Sequence, residues 1–212
     1  MSVLWTMMGG LAWSASEYAI HRFVGHGPKR EIASTWRQKL TPAGLAAEFN
    51  AEHLAHHADP TYFAATERKL RAAAVGVPLV GVALAPFLGS RRAASFALGF
   101  GLVYGGYEVL HRRIHTHPPK GRYGRWARRQ HLLHHHKTPR LNHGVTSPIW
   151  DFVFSTHVPS ERIRVPRHVA PVWIVDRETG AVRSEFADDY ELVGRKRGEA
   201  GPVDVVAPPP AC

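Results

Sequence analysis

Ten histidines stand in four clusters: His21-Arg-Phe-Val-Gly-His26, His53-Leu-Ala-His56-His57, His111-Arg-Arg-Ile-His115 and His131-Leu-Leu-His134-His135. On a helix, positions i, i+3 and i+4 share one face. His53, His56 and His57 therefore converge, as do His131, His134 and His135, and so do His111 and His115. Neutral imidazole suits iron, zinc, copper and nickel. Ten donors exceed what one ion takes and fit two ions at about four to six ligands each. A lone histidine is more often a core or surface residue than a ligand. Two HxxHH triplets and two pairs in one short chain point instead to a two-metal site. His21 and His26 are the exception in spacing, because five positions span about 140° on a regular helix. Gly25, Gly27 and Pro28 predict that the helix ends between them and that His26 folds back.

Five further histidines, His117, His136, His143, His157 and His168, lie outside the clusters. Only His117 stands close enough in sequence to suggest an approach to the site, and His136 should point away from the triplet's face. Ligating imidazoles usually donate their second N–H to a carboxylate or carbonyl. Glu17, Glu108 and Asp151 are the carboxylates placed to accept, Glu108 one turn before His111. A surface or snorkelling carboxylate is the alternative for each. Trp150, Phe152 and Phe154 either line a lipid groove or pack internally.

Three apolar stretches must position these clusters: Val3–Ile20, Ala72–Gly89 and Ala93–Leu110. As helices each is about 27 Å long, just short of a hydrocarbon core of about 30 Å. The last two lack the polar stripe of a surface helix, and Ser90, Arg91 and Arg92 join them as a tight hairpin. Buried helices of a soluble bundle are the competing reading. The first stretch has no basic leader or cleavage site, so it reads as a retained helix. All four clusters then lie on one side of a membrane.

The net charge is +10. Between His111 and His168 twelve Lys/Arg face only Asp151 and Glu161, and no Lys or Arg precedes His21. Charge that flanks apolar stretches marks cytoplasmic loops beside an anionic leaflet rather than nucleic-acid binding. Arg125, Arg128 and Arg129 face phospholipid headgroups or solvent. Cys212 is the only cysteine, so no internal disulfide forms.

Beyond Val158 the pattern changes. Val172–Val175 and Val182–Phe186 flank Asp176-Arg177-Glu178-Thr179-Gly180, which predicts a short C-terminal β-hairpin. The expected fold class is an all-α, membrane-embedded helical bundle with a histidine-bearing cytosolic cap and that hairpin. Residues 1–158 form the di-metal membrane domain, 159–197 a small appendage and 198–212 a disordered tail.

Glu17-Tyr18-Ala19-Ile20-His21-Arg22-Phe23, continuing to His26, resembles the first box of fatty acid 2-hydroxylases. Tyr107 to His115 resembles their third box, with Glu108 where Asp is common, and His131 to His135 matches the fourth. Asn142 to Asp151 resembles the segment that follows in the fatty acid hydroxylase and sterol desaturase superfamily. The resemblance runs from about Leu11 to Val158. It implies a cytosol-facing di-iron centre that uses O2 and two electrons. The implied ligands are His21, His26, His53, His56, His57, His111, His115, His131, His134 and His135. Two iron ions are the implied cofactors. Imidazole binds zinc as well, so purified material can carry zinc. The chain has no room for a fused cytochrome b5 domain, so a separate donor, cytochrome b5-like or ferredoxin-like with a reductase, is expected. The short spans suit a homodimer or a partly immersed cap.

Three functions compete on the sequence. The first is O2-dependent hydroxylation of a lipid C–H bond in a fatty acyl, ceramide-like or sterol-like substrate. The second is a desaturase or carotenoid hydroxylase on the same scaffold. The third is a membrane metal-binding protein without catalysis.

Overall fold

The computed structural model describes residues 1–194. The tail expected over 198–212 lies outside the described residues. Helix α1, Val3–Ala19, lies along α5, Ser90–Thr116, and α5 is also covered by α4, Thr66–Leu88. Contacts along α1 and α5 advance together: Ser2 N–H donates to Ser95 Oγ at 2.9 Å, and Trp13 packs on Phe100 and Tyr104. The two helices are therefore parallel, and α4 runs against them. The ends of α1 and α5 that carry histidines meet at one end of this three-helix layer.

Small residues set that contact. A Cβ on Gly9 would lie 1.9 Å from the Phe96 carbonyl oxygen, and one on Gly99 would lie 1.8 Å from that of Thr6. The α1 and α5 backbones touch where a side chain cannot fit. Helices α4 and α5 are long and apolar enough to cross a membrane. Helix α4 buries no residue within the protein, which an apolar core helix of a soluble bundle would do. At 17 residues α1 is shorter than a full span.

Two boundaries differ from expectation. Helix α4 begins at Thr66, not near Ala72, and α5 continues to Thr116, so His111 and His115 ride on its last turns. The hairpin turns at Gly89 alone, at φ 76°, a left-handed conformation that glycine adopts without strain. Ser90, Arg91 and Arg92 belong to the first turn of α5 instead of the connection.

Above this layer lie α2, Trp36–Lys39, α3, Pro42–Ala58, α6, Gly121–His136, and α7, Ile149–Val153. Thr41 caps α3 by accepting from the Gly44 N–H at 3.1 Å, with Pro42 preset in the first turn. Arg128 of α6 is buried and donates to the carbonyls of Arg113, His117 and Gly124, tying α6 to the end of α5. Arg125 and Arg129 pair with Asp189.

The expected C-terminal hairpin does not form as such. Asp176 Oδ1 accepts from the Glu178 and Thr179 N–H groups and makes the turn, but only Val175 and Val182 bridge across it. Ser184–Phe186 winds instead into a 3-10 turn that packs Phe186 edge-on against Trp173 at 5.1 Å. Burying that aromatic outweighs lengthening a two-stranded ladder. The strand pair that does form is parallel, β1, Ile163–Pro166, with β2, Tyr190–Val193. Its residues share one core with the helices, through Ile114, Leu132, Leu133, Ile163, Trp173 and Tyr190.

Candidate metal centre

Between Ile20 and Gly25 the chain continues from α1 as a π-helical turn. The His26 N–H donates to the His21 carbonyl at 3.1 Å, an i→i+5 bond. This wider turn brings positions five apart onto one face, and the two rings lie 5.2 Å apart. The helix thus ends at Gly25, between the two histidines as expected, and the wider turn before that end brings His26 beside His21. Asn50, fully buried on α3, supports that turn by donating to the Val24 and Gly25 carbonyls at 2.9 and 3.0 Å. The sequence reading overlooked Asn50, although it stands one helical turn before His53.

The ten box histidines gather into two groups of five. His21, His26, His53, His57 and His134 form one, and His56, His111, His115, His131 and His135 the other. Within each group the ligand atoms lie within 4.8 Å of one another, so each group is capable of holding a metal ion. Each triplet is shared. His53 and His57 face the first group and His56 the second, while His134 faces the first and His131 and His135 the second.

Nitrogen chemistry fits a cation in each group. His26 Nε2 lies 2.9 Å from both His53 Nε2 and His134 Nε2, and His115 Nε2 lies 3.0 Å from His131 Nε2. His21 Nε2, His56 Nε2 and both nitrogens of His135 are buried with no partner. Such lone pairs are costly unless something shared accepts them. The opposite ring nitrogens are held by backbone carbonyls: His21 Nδ1 by His143, His56 Nδ1 by Tyr62 and His134 Nδ1 by Leu141. A carbonyl can only accept, so each Nδ1 carries the proton and each Nε2 presents its lone pair inward. Burial pushes His26 down to about 4 and His57 down to about 3, and holds His53 and His134 well below the usual histidine range. All four are neutral at pH 7, the form a metal binds.

Two of the three carboxylates share a role and the third does not. Glu17 accepts from the N–H groups of Val145 and Thr146, at 2.7 and 2.9 Å, and from the Thr146 hydroxyl. Asp151, fully buried, accepts from the N–H groups of His143 and Gly144, both at 2.8 Å, and from Thr156. Together they clamp residues 143–146 from two sides, and the His143 carbonyl in that segment holds His21. Neither carboxylate receives a box histidine's N–H directly. Glu108 does not meet a histidine through a hydrogen bond either; it ion-pairs with Lys69 of α4.

Among the remaining histidines, His143 is buried with its ring 5.4 Å from His134 and 5.6 Å from His21. The sequence reading left it outside the site, yet its ring packs against the first group and its carbonyl orients His21. His117 turns away and pairs with Thr116. His136 is half-buried behind His135, His157 packs at a tilt on Phe152, and His168 is exposed. Trp150 donates to Ser14 and so fixes α7 on α1, leaving Phe152 and Phe154 exposed.

A cavity of about 540 Å³ opens beneath both groups. His21 and His53 of the first group and His56 and His111 of the second line its upper end. Trp13, Gly76, Val77, Val80 and Phe100 line its apolar depth. Helices α1 and α4 both pack on α5 and make little or no contact with each other, so the cavity is the cleft between them.

A family model described as fatty acid hydroxylase matches residues 6–156. The chain belongs to the fatty acid hydroxylase family. The matched region contains all four histidine clusters, the clamped segment 143–146 and both clamping carboxylates. A dihydroceramide fatty acyl 2-hydroxylase of Arabidopsis thaliana is 30% identical over 151 residues, 71% of this chain and 59% of that protein. A fatty acid 2-hydroxylase of Rattus norvegicus is 27% identical over 73% of this chain and 40% of its own length. This family member thus spans less than two thirds of the length of each of those relatives. Its fold is similar to a solved structure of full-length scs7p with only the hydroxylase domain visible. That likeness has a TM-score of 0.55 and 27% identity, and it covers 74% of this chain and 56% of that one.

Proposed function

We propose that this chain is an integral membrane oxygenase that hydroxylates a C–H bond of a lipid, on a fatty acyl, ceramide-like or sterol-like substrate. The observation that carries this reading is the apolar cleft between α1 and α4, which ends on histidines of both groups. The ten histidines would hold two iron ions. Bound iron supplies the reductive activation of O2 that side chains lack. The overall reaction is R–H + O2 + 2 e⁻ + 2 H⁺ → R–OH + H2O, with the electrons delivered by a separate protein donor. The protein's own part is placement. Trp13, Val77, Val80 and Phe100 hold an alkyl chain in a water-poor cleft, and His21, His53, His56 and His111 present the reacting end to the metals. The basic residues around the clusters support a cytoplasmic position for this end, beside an anionic leaflet.

The test is comparative lipid mass spectrometry of cells expressing the protein or its His134→Ala variant, with an electron donor supplied. A lipid one oxygen heavier, found only with the intact protein, supports the proposal and identifies the substrate class. A lipid two hydrogens lighter makes the chain a desaturase. No change, with iron present in the protein, overturns lipid oxygenation.

A further inference from the structure

A line of aromatic rings leads from the first histidine group to the surface. The His143 ring lies 5.4 Å from His134 and 5.6 Å from His21. The Tyr18 ring meets His143 edge-on at 5.6 Å, and Phe154 stacks on Tyr18 at 5.2 Å with 12° between the planes. Tyr18 and His143 are fully buried, whereas Phe154 is half-exposed. The cleft does not reach Tyr18, so no substrate contact accounts for it.

The Tyr18 hydroxyl belongs to a second line, one of hydrogen bonds. Arg22 Nη1 donates to it at 2.7 Å, and Thr156 Oγ1 donates to Asp151 Oδ1 at 2.8 Å. A guanidinium only donates and a carboxylate only accepts. The one Thr156 hydroxyl proton thus points to Asp151, and in the 2.8 Å contact between the two hydroxyls Tyr18 is the donor. The phenol proton has a defined exit, along Thr156 to Asp151. Tyr107 offers the contrast. Its ring stacks on His111 at 5.7 Å, but its hydroxyl makes no hydrogen bond among the described residues. A phenol loses an electron readily only when its proton can leave in the same step, because the radical cation is a strong acid. Tyr18 meets that condition and Tyr107 does not.

An iron oxygenase that meets O2 with its cleft empty holds an oxidising equivalent and no C–H bond to consume it. The surrounding imidazoles are then exposed to oxidation. We propose that Tyr18 is a redox-active residue that drains this equivalent, giving one electron through the His143 ring to oxidised iron held in the first histidine group. The iron is reduced by one electron and Tyr18 becomes a neutral tyrosyl radical. The Tyr18 O–H bond breaks, its proton binds Thr156 Oγ1, and the Thr156 proton passes to Asp151 Oδ1. One electron from the external donor that hydroxylation already requires then quenches the radical, entering at the exposed Phe154 end, and both protons return. This rests on the oxygenase reading for the source of the oxidising equivalent.

The experiment is electron paramagnetic resonance of the purified, iron-loaded full chain in detergent, frozen after hydrogen peroxide is added without lipid. The expected result is a tyrosyl radical, narrowed when ring-deuterated tyrosine is supplied during expression. Tyr18→Phe keeps the ring contacts and should abolish the signal. Thr156→Val keeps the phenol, removes its proton acceptor and should also lose the signal, so the test does not depend on Tyr18→Phe holding iron. Peptide mapping after the same treatment should find more added oxygen on the box histidines of both variants than on those of the wild type. No tyrosyl signal in the wild type, or a full signal in either variant, overturns the assignment. So does equal histidine oxidation in the wild type and the variants. Lipid hydroxylation by a wild type that forms no such radical overturns this proposal alone. A Tyr18-dependent radical in a protein that oxygenates no lipid overturns the hydroxylase reading alone.

Discussion

His57 and His135 stack face to face, with ring centroids 4.0 Å apart and planes within 5°. They come from α3 and α6 and belong to different groups of five. This contact is the partition between the two groups. Replacing His135 with alanine removes a donor from one group and the packing surface of a donor in the other. Metal analysis of the purified variant should therefore find less than one ion per chain. His111→Ala, which leaves the stack intact, should keep about one.

Asp151 satisfies three buried donors: the N–H groups of His143 and Gly144 and the Thr156 hydroxyl. Asp151→Ala leaves both N–H groups without a partner, while the Thr156 hydroxyl keeps Tyr18. Each orphaned donor costs about 1–3 kcal/mol, so the variant should lose about 2 kcal/mol or more. The thermal unfolding midpoint in detergent reads this loss. Metal affinity should fall as well, by about 10–100-fold, because the His143 carbonyl no longer fixes His21.

Gly99 meets the α1 backbone where no Cβ fits. Gly99→Val should push α1 from α5 at a cost of about 1–3 kcal/mol. No ligand is altered, yet His21 and Glu17 both ride on the displaced helix and its extension. Metal content should drop in the first group and persist in the second. A variant with full metal content would show that α1 docking does not position His21.

Gly76 faces the cleft, and a Cβ there would touch nothing. Gly76→Leu should leave the unfolding midpoint unchanged or slightly raised, since leucine favours a helix by about 0.5–1 kcal/mol over glycine. The added side chain fills space that an alkyl chain would use. Product profiles should shift to shorter chains, and an unchanged profile would place the chain elsewhere.

Acid should release the metal. Histidines in the unfolded chain protonate near 6.5, whereas burial holds His26 at about 4 and His57 at about 3 in the fold. The unfolded state therefore binds more protons below about pH 6.5, and stability falls as pH drops from there toward 4 and 3. Bound metal competes for the same lone pairs and adds to the effect. Metal content and unfolding midpoint should both decline between pH 7 and pH 5 and stay level from pH 7 to pH 8.5.

The helices and the ten clustered histidines were legible because their signals are local. Apolar runs mark α4 and α5, and i, i+3, i+4 spacing marks the triplets. How a triplet divides between two groups was not legible, since it depends on where α3 and α6 sit relative to α1 and α5. The π-helical turn was hidden because spacing assumes one helical pitch. Glu17 and Asp151 were recognisable as carboxylates near the site, but their partners lie in a loop that only folding brings to α1. The β1–β2 pair joins segments far apart in sequence, whereas the expected hairpin followed a strong local turn at Asp176.

The cleft between α1 and α4 is backed by α5 and bounded at its histidine end by Leu45, Phe49 and Glu52 of α3. Under the proposed membrane placement of α4 and α5, a molecule lodged there exchanges with the apolar phase around those helices. Its effective concentration is then a mole fraction, set by the composition of that phase. Diluting the sample at fixed lipid-to-detergent ratio should leave occupancy untouched, while adding empty micelles at constant protein should empty the cleft. Apparent affinities for such a protein acquire meaning only when expressed per unit of surrounding lipid.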